Sequence, residues 1–553
     1  MVIRAEAVSD IRPALAEVER LTRDRGLHAI GFLTYEAGAA FGLTAHAPPP
    51  GIPLLWFGLY ETSSSRVVGA PQSQGGYTLG TSRPTLERDA FRRRFERIKQ
   101  HLSAGDSYQV NLTLRVEAAF EGDPFDLFAD LVEAQQGTYS CFLDIGDLAI
   151  CSASPELFFA IRNDQVLARP MKGTTRRGLT IEEDRELSDR LRQSNKDRAE
   201  NVMVVDMVRN DLGRVADVGS IRVPELFSIE RYPGVWQMTS LVTARTLASL
   251  DRLVAALHPS ASITGAPKVR TMEILRDLED GPRGIYTGAI GRISPSGDAH
   301  FNVAIRTAIV DRLRGRVEFG VGSGIVWDSE ADAEYDECLL KAAVLGRRPV
   351  RFDLLETLRW QPDGGYLLLE EHLARLQGSA EYFGIALDAA SVRRALDQAV
   401  AAETAAQRVR LLVSRDGAAR TEKRPHRSTP GPLRVKLAAS PIDAANVWLY
   451  HKTTHRSLYD AARAAMPGCD EVLLWNVEGQ LTEATTANLV LEIDGARVTP
   501  PVRCGLLPGT CRAAMIASGA IREAVLTRED LNRATGLWLI NAVHEARPAV
   551  LVS

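Results

Sequence analysis

The feature that most constrains the fold is the basic break Gly346-Arg347-Arg348-Pro349, because the sequence pattern restarts after it. A chain of 553 residues is too long for one hydrophobic core. A linker of this composition is where two cores separate. The break predicts one domain over 1–346 and a second over 350–553. Hydrophobic residues make up 45% and charged residues 25%, so each half has enough apolar side chain to bury a core of its own.

Upstream of the break, Phe91, Phe95, Ile98 and Leu102 recur at helical spacing and predict an amphipathic helix over 86–103. Strands are predicted over 140–145, 148–150 and 156–161. A helix follows over 184–208, ending at the polar stop Arg209-Asn210-Asp211-Leu212-Gly213. Further strands are predicted over 289–293, 301–310, 316–319 and 324–327, then a helix over 332–345. Downstream, a hairpin over 352–370 turns at Gly364-Gly365, and helices follow over 372–382 and 390–403. Pro48-Pro49-Pro50-Gly51 and Ser63-Ser64-Ser65 read as loops.

The net charge of -4 argues against nucleic acid or an anionic membrane surface as the partner. No apolar run is long enough to span a bilayer, and the first ten residues carry Arg4, Glu6 and Asp10 rather than a signal core. The expected location is the cytoplasm. The six cysteines contain no Cys-x-x-Cys pair, so they read as buried free thiols.

Three groups of residues carry chemistry. Lys172 lies in Pro170-Met171-Lys172-Gly173-Thr174. It is an amine nucleophile if its pKa is lowered, or a solvated turn residue. Asp197 with Glu200, and Glu334 with Glu337, are each three apart on a predicted helix and so share a face. Converging carboxylates suit Mg²⁺; by spacing alone they read as solvated faces balanced by Arg190, Arg198 and Lys341, since charge runs are usually surface. Lys452, Glu483, Arg375 and the turn Gly505-Leu506-Leu507-Pro508-Gly509-Thr510 supply an amine, a carboxylate, a fork and an anion turn. That set fits a pyridoxal phosphate site.

The segments Ser152-Ala153-Ser154-Pro155-Glu156, Pro170 to Thr174, Asp197 to Asn201, Arg209 to Gly213, Thr264-Gly265-Ala266-Pro267-Lys268 and Glu334-Tyr335-Asp336-Glu337-Cys338 occur in the order seen in chorismate-utilising enzymes. The resemblance covers about residues 30–345. It implies a two-sheet α/β sandwich in which Glu200 and Glu337 bind Mg²⁺. It further implies that Tyr286, Arg306 and the backbone of Gly322 and Gly324 hold the enolpyruvyl carboxylate, with Thr174 also contacting substrate. Lys172 is similar to the aminodeoxychorismate synthase branch, where other branches carry Ala. The implied reaction is attack of Lys172 on ring C2, with Glu156 protonating the departing 4-hydroxyl, then ammonia at C4. No cysteine sits in a Gly-x-Cys-x-Gly turn, so ammonia is expected from solution or from a separate glutaminase subunit.

The second half resembles the fold-type IV pyridoxal phosphate enzymes over about residues 352–550, on His372-Leu373-Ala374-Arg375-Leu376, His451-Lys452-Thr453-Thr454, Leu481-Thr482-Glu483-Ala484-Thr485-Thr486 and Gly505 to Thr510. This implies an α+β domain. Lys452 carries the cofactor, Glu483 pairs with its ring nitrogen, and Arg375, Thr510 and Thr486 contact its phosphate. A homodimer through this half is expected. The motifs do not separate a lyase from a branched-chain or D-amino acid aminotransferase. Fusion to a chorismate-aminating half favours a lyase that releases pyruvate and leaves 4-aminobenzoate. The alternatives are anthranilate synthesis in the first half, an aminotransferase in the second, or an inactive scaffold that binds a glutaminase.

Overall fold

The computed structural model describes residues 1–64, 76–427 and 431–552. Ser65, part of one expected loop, lies outside them. The chain forms two compact units, Met1–Arg177 with Leu187–Pro349, and Gly178–Glu186 with Val350–Ser553. Among the described residues no helix is long and apolar enough to cross a membrane.

The first unit holds two large sheets. One runs from Val2–Ala5 through Leu55–Tyr60, His28–Leu33, Ala289–Ile293, Ala299–Val303, Leu157–Arg162, Gln165–Arg169 and Val235–Arg245 to Met171–Arg176. The other runs from Gly265–Ala266 through Gln109–Gly122, Arg316–Ile325, Thr307–Asp311 and Leu148–Ser154 to Tyr139–Asp144. Phe32 and Ile290 of the first sheet pack with Leu143, Ile150 and Ile309 of the second. The sheets therefore face each other. Val205, Val208 and Leu212 of helix Asn195–Gly213 cover the outside of the first. Phe91 and Phe95 of Arg88–Ser103, with Tyr335 and Cys338 of Ala331–Ala342, cover the second. This is the sandwich with flanking helices that the resemblance implies.

Several elements differ from expectation. The helix expected over 184–208 is two helices, Ile181–Gln193 and Asn195–Gly213. Ser194 sits between them with extended backbone, and its hydroxyl accepts from Asp197 N as an N-cap. The second helix runs on through the expected stop at 209–213, because Asp211 is paired inside with Lys268 at 2.7 Å. The strand expected over 301–310 is two strands, Ala299–Val303 and Thr307–Asp311, which belong to different sheets. The chain turns between them at Arg306, with φ of 51°. Conversely, the strands expected over 316–319 and 324–327 are one, Arg316–Ile325. Its glycines do not break it, since at Gly320 a Cβ would lie 2.1 Å from the Tyr286 ring.

In the second unit a four-stranded antiparallel sheet follows the order Gly365–Tyr366, Leu354–Gln361, Gln407–Val413, Ala419–Pro425. Its core joins Leu354, Leu358, Val409 and Leu411 to Leu376 and Leu396 of helices Leu369–Phe383 and Ala389–Val400. The hairpin expected over 352–370 has only two residues in its return strand. Leu368, at φ of 54°, turns the chain into the helix three residues before the expected start. An eight-stranded mixed sheet follows, centred on Leu433–Leu437, Glu545–Leu551 and Gly536–Asn541. The unit is α+β, as expected, and its described strands form two sheets.

Candidate active sites

In the first unit the Lys172 ammonium stands 3.5 Å from Glu200 Oε2, on the helix Asn195–Gly213. A Cβ on Gly324 would lie 3.2 Å from Lys172 Nζ and 3.4 Å from Gln109 Nε2. Lys172 thus points at a backbone stretch that only a glycine leaves open. The strand Thr307–Asp311 pairs with Arg316–Ile325 no further than Ala308 opposite Phe319. Among the described residues only Gln109–Gly122 pairs with it from Gly320 to Ile325, so Gly322 and Gly324 lie where one strand edge has lost its neighbour.

Glu334 and Glu337 lie on helix Ala331–Ala342. Burial raises the Glu334 carboxyl above its ordinary pKa. Glu337 raises it further, while Lys172 and Lys341 pull it down. Glu334 also accepts from the Ser323 hydroxyl. Glu337 pairs with Lys341 at 2.6 Å, and Lys341 Nζ donates to Gly322 O at 2.9 Å. Burial pulls the Arg306 guanidinium down, opposed by Tyr286 and Glu337; Arg306 Nη1 donates to Lys341 O at 3.2 Å. The fold therefore links Lys172, Glu200, Glu334, Glu337, Arg306, Tyr286, Gly322 and Gly324. Thr174 is turned elsewhere: it is exposed, and its hydroxyl donates to Gln237 Oε1 at 2.8 Å.

Glu156 follows the strand end Leu148–Ser154 and is 3% exposed. Burial pushes its carboxyl up to about 7, and a 2.6 Å bond from Ser262 Oγ pulls it partly back. Such a carboxyl holds its proton near neutrality, as a general acid must. Among the described residues no three acidic or imidazole groups stand gathered as a metal cage. Glu200, beside Lys172, and Glu337, beside Lys341, nonetheless fit a hard cation that takes one or two protein carboxylates and keeps its waters.

In the second unit Lys452 lies on the segment that meets strand Leu354–Gln361: Leu355 N donates to its carbonyl at 2.9 Å. Burial, then Arg375 and Arg456, lower its amine to about 8, against Glu356 and Glu483. Glu483 is buried, and burial raises its carboxyl to about 7. Tyr459 OH donates to its Oε1 at 2.8 Å and Asn488 Nδ2 to its Oε2 at 3.2 Å. Arg375 forks onto Glu356 at 2.9 and 2.6 Å and donates to Pro508 O at 3.1 Å. His372 bridges Glu356 at 2.7 Å and the Thr510 hydroxyl at 3.3 Å. Burial raises the Glu356 carboxyl, but Arg375 and His372 overcome this and hold it at about 2. Thr510 opens helix Thr510–Ala517 behind Gly509, where a Cβ would strike Asn488 Oδ1 at 1.9 Å.

Lys452, Glu483, Arg375 and Thr510 thus share one network. Thr486 does not join it: its hydroxyl donates to Glu471 Oε1 at 2.6 Å, and Thr485 binds the same carboxylate. The arrangement fits pyridoxal phosphate. A buried carboxyl near neutrality suits a ring nitrogen, and a helix start beside an arginine suits a phosphate. Sequence reasoning missed Ser262, Gln109, Glu356 and Tyr459. Glu356 carried a signal, being the lone charge in the apolar run Leu354-Leu355-Glu356-Thr357-Leu358.

Residues 71–347 match the family of chorismate binding enzymes, and residues 353–552 match amino-transferase class IV. Over 264 residues, 47% of the chain, the sequence is 43% identical to aminodeoxychorismate synthase component 1 of Klebsiella aerogenes, covering 58% of that protein. Over 271 residues, 49% of the chain, it is 36% identical to anthranilate synthase component 1 of Cereibacter sphaeroides, covering 54% of it. The crystal structure of anthranilate synthase component I from Streptococcus pneumoniae matches with a TM-score of 0.51 at 29% identity, covering 58% of this chain and 81% of that one. The chain spans a little over half the length of these two curated relatives.

Proposed function

Because the chain belongs to the family of chorismate binding enzymes, we propose that its first unit aminates chorismate to 4-amino-4-deoxychorismate and its second removes pyruvate from that product, leaving 4-aminobenzoate. One observation carries the reading of the first unit: Lys172 stands beside Glu200 and over Gly324, an amine inside the carboxylate and glycine cluster. Arg306 offers a forked, permanent charge to the enolpyruvyl carboxylate. Glu200 and Glu337 would hold Mg²⁺, which neutralises the ring carboxylate when bound.

Lys172 attacks ring C2, the ring double bonds shift, and the C4–O bond breaks as Glu156 gives its proton to the departing hydroxyl. Ammonia then forms the bond to C4 and the shift reverses, expelling Lys172 as the amine. Splitting the displacement this way is nucleophilic catalysis. Ammonia comes from solution or from a separate glutaminase subunit.

In the second unit Lys452 would carry pyridoxal phosphate, Glu483 would face its ring nitrogen, and Arg375 and Thr510 its phosphate. The cofactor supplies an electron sink next to the amine-bearing carbon. Lys452, once its amine is free, would take the C4 proton as the C3–O bond breaks, and return it to the departing enolpyruvate, which leaves as pyruvate. The relatives' names include anthranilate synthase; Lys172 is what favours 4-amination.

The test uses two variants of the full chain, Lys172→Ala and Lys452→Ala. Lys452→Ala should accumulate 4-amino-4-deoxychorismate from chorismate and ammonium, Lys172→Ala should consume that compound when supplied, and a mixture should make 4-aminobenzoate. Anthranilate from Lys452→Ala would refute the first assignment. Branched-chain or D-amino acid transamination by Lys172→Ala, without pyruvate release, would refute the second.

A further inference from the structure

The Lys172 strand does not pair evenly. Met171 faces Thr239 and Thr174 faces Gln237, so Lys172 and Gly173 together face one residue, Met238. This is a β-bulge, which takes backbone groups out of the ladder and re-aims side chains. Gly173 adopts φ of 96°, which glycine reaches without strain. A Cβ there would also lie 3.0 Å from Cβ of Asp197.

Two side-chain amides take up the bulge's carbonyls. Asn201 Nδ2 donates to Lys172 O at 3.1 Å and to Met238 O, across the bulge, at 3.4 Å. Gln237 Nε2 donates to Gly173 O at 2.8 Å, while its Oε1 accepts from Thr174. The Asn201 amide cannot be turned round. Turned round, its oxygen would face the Lys172 and Met238 carbonyl oxygens; as placed, Ser240 Oγ, which accepts from Phe227 N at 3.2 Å, donates to Asn201 Oδ1 at 2.6 Å. Asn201 is 1% exposed and follows Glu200 on the same helix. One buried amide therefore ties the lysine's backbone to the helix that carries its carboxylate partner.

We propose that Asn201 and Gln237 are positioning residues for Lys172: they replace the ladder bonds lost at the bulge and so aim its ammonium at Glu200 and Gly324. The inference rests on the reading of Lys172 as the nucleophile. A lysine has four rotatable side-chain bonds, so a loosened backbone beneath it multiplies the positions its amine can take. Misplacing a reacting group by about 1 Å costs about a hundredfold in rate.

The experiment uses Gln237→Met and Gln237→Glu in the full chain, at a half-buried position, with Asn201→Ser as the buried counterpart. Gln237→Glu keeps the acceptor for Thr174 and puts a charged oxygen in place of the donor to Gly173, whereas Gln237→Met removes both groups without adding charge. Backbone hydrogen exchange is read on the peptide spanning 171–176, and amination kinetics on chorismate with ammonium. Exchange about tenfold faster in that peptide, unchanged in strand Ala289–Ile293, is expected from both Gln237 variants. With it kcat should fall about ten- to a hundredfold while KM for chorismate stays within about twofold.

Unchanged exchange overturns the proposal. So does faster exchange with unchanged kcat, and so do kcat and KM moving together. A wild-type chain that makes no 4-amino-4-deoxychorismate overturns the reading of the reaction. The exchange result then still supports or overturns the hold of the two amides on the bulge.

Discussion

Replacing Glu156 with Gln should stabilise the first unit and disable it at once. Glu156 is 3% exposed, and its hydrogen bond comes from Ser262. Burial lifts the carboxyl from its ordinary 4.5 to about 7. A group whose folded pKa lies above its unfolded one holds more protons folded than unfolded in the window between. Stability is therefore lost as pH rises from about 4.5 through about 7. That gap corresponds to a cost of about 3 kcal/mol once the carboxylate is ionised, and to none below pH 4. Gln keeps the acceptor for Ser262 and cannot ionise. In calorimetry of the full chain, the first unit's transition is the one that chorismate with Mg²⁺ raises. Glu156→Gln should leave it unmoved at pH 4 and raise it by about 4 °C at pH 8. Amination should fall at least about a hundredfold, because Gln has no proton to give. An offset equal at both pH values would show a carboxyl that titrates in the fold as it does unfolded, and a loss at pH 8 one held below its ordinary value; either would refute the general-acid role.

Other perturbations act elsewhere. Glu356→Gln strips Arg375 and His372 of a carboxylate held at about 2. The wild-type second unit should lose stability as pH falls from about 4.5 through about 2, and the variant should lose that dependence. At pH 7 the variant should cost about 3–5 kcal/mol by leaving a buried cation unpaired, read as a lowered melting transition. Gly320→Ala drives a methyl to 2.1 Å from the Tyr286 ring. It should cost about 1–3 kcal/mol and raise KM for chorismate, while pyridoxal phosphate binding is unchanged. Lys452→Ala should abolish the visible absorbance change on titration with pyridoxal phosphate, and pyruvate release with it.

The chemistry was more legible than the geometry that aims it. The short motifs around Lys172, Glu200 and Lys452 are local strings, so they read directly. The break at Ser194 was readable too, since Ser three residues before Asp197 is an N-cap pattern. Arg306 was not readable as a turn, because its positive φ arises where the chain passes from one sheet to the other. Nothing local marks that passage. The bulge at Lys172 is likewise a matter of register with a strand over sixty residues away, so the part played by Gln237 and Asn201 could not be read from spacing. Thr174 and Thr486 illustrate the converse. Both sit in the right strings, yet each hydroxyl is taken by a neighbour, Gln237 or Glu471, that sequence proximity does not reveal.

The most direct test is product analysis by mass spectrometry on the full chain with chorismate, Mg²⁺, ¹⁵N-ammonium and pyridoxal phosphate. The account predicts 4-aminobenzoate carrying the label, with one pyruvate for each molecule formed. Labelled anthranilate in its place would contradict the assignment of Lys172, and with it the central claim.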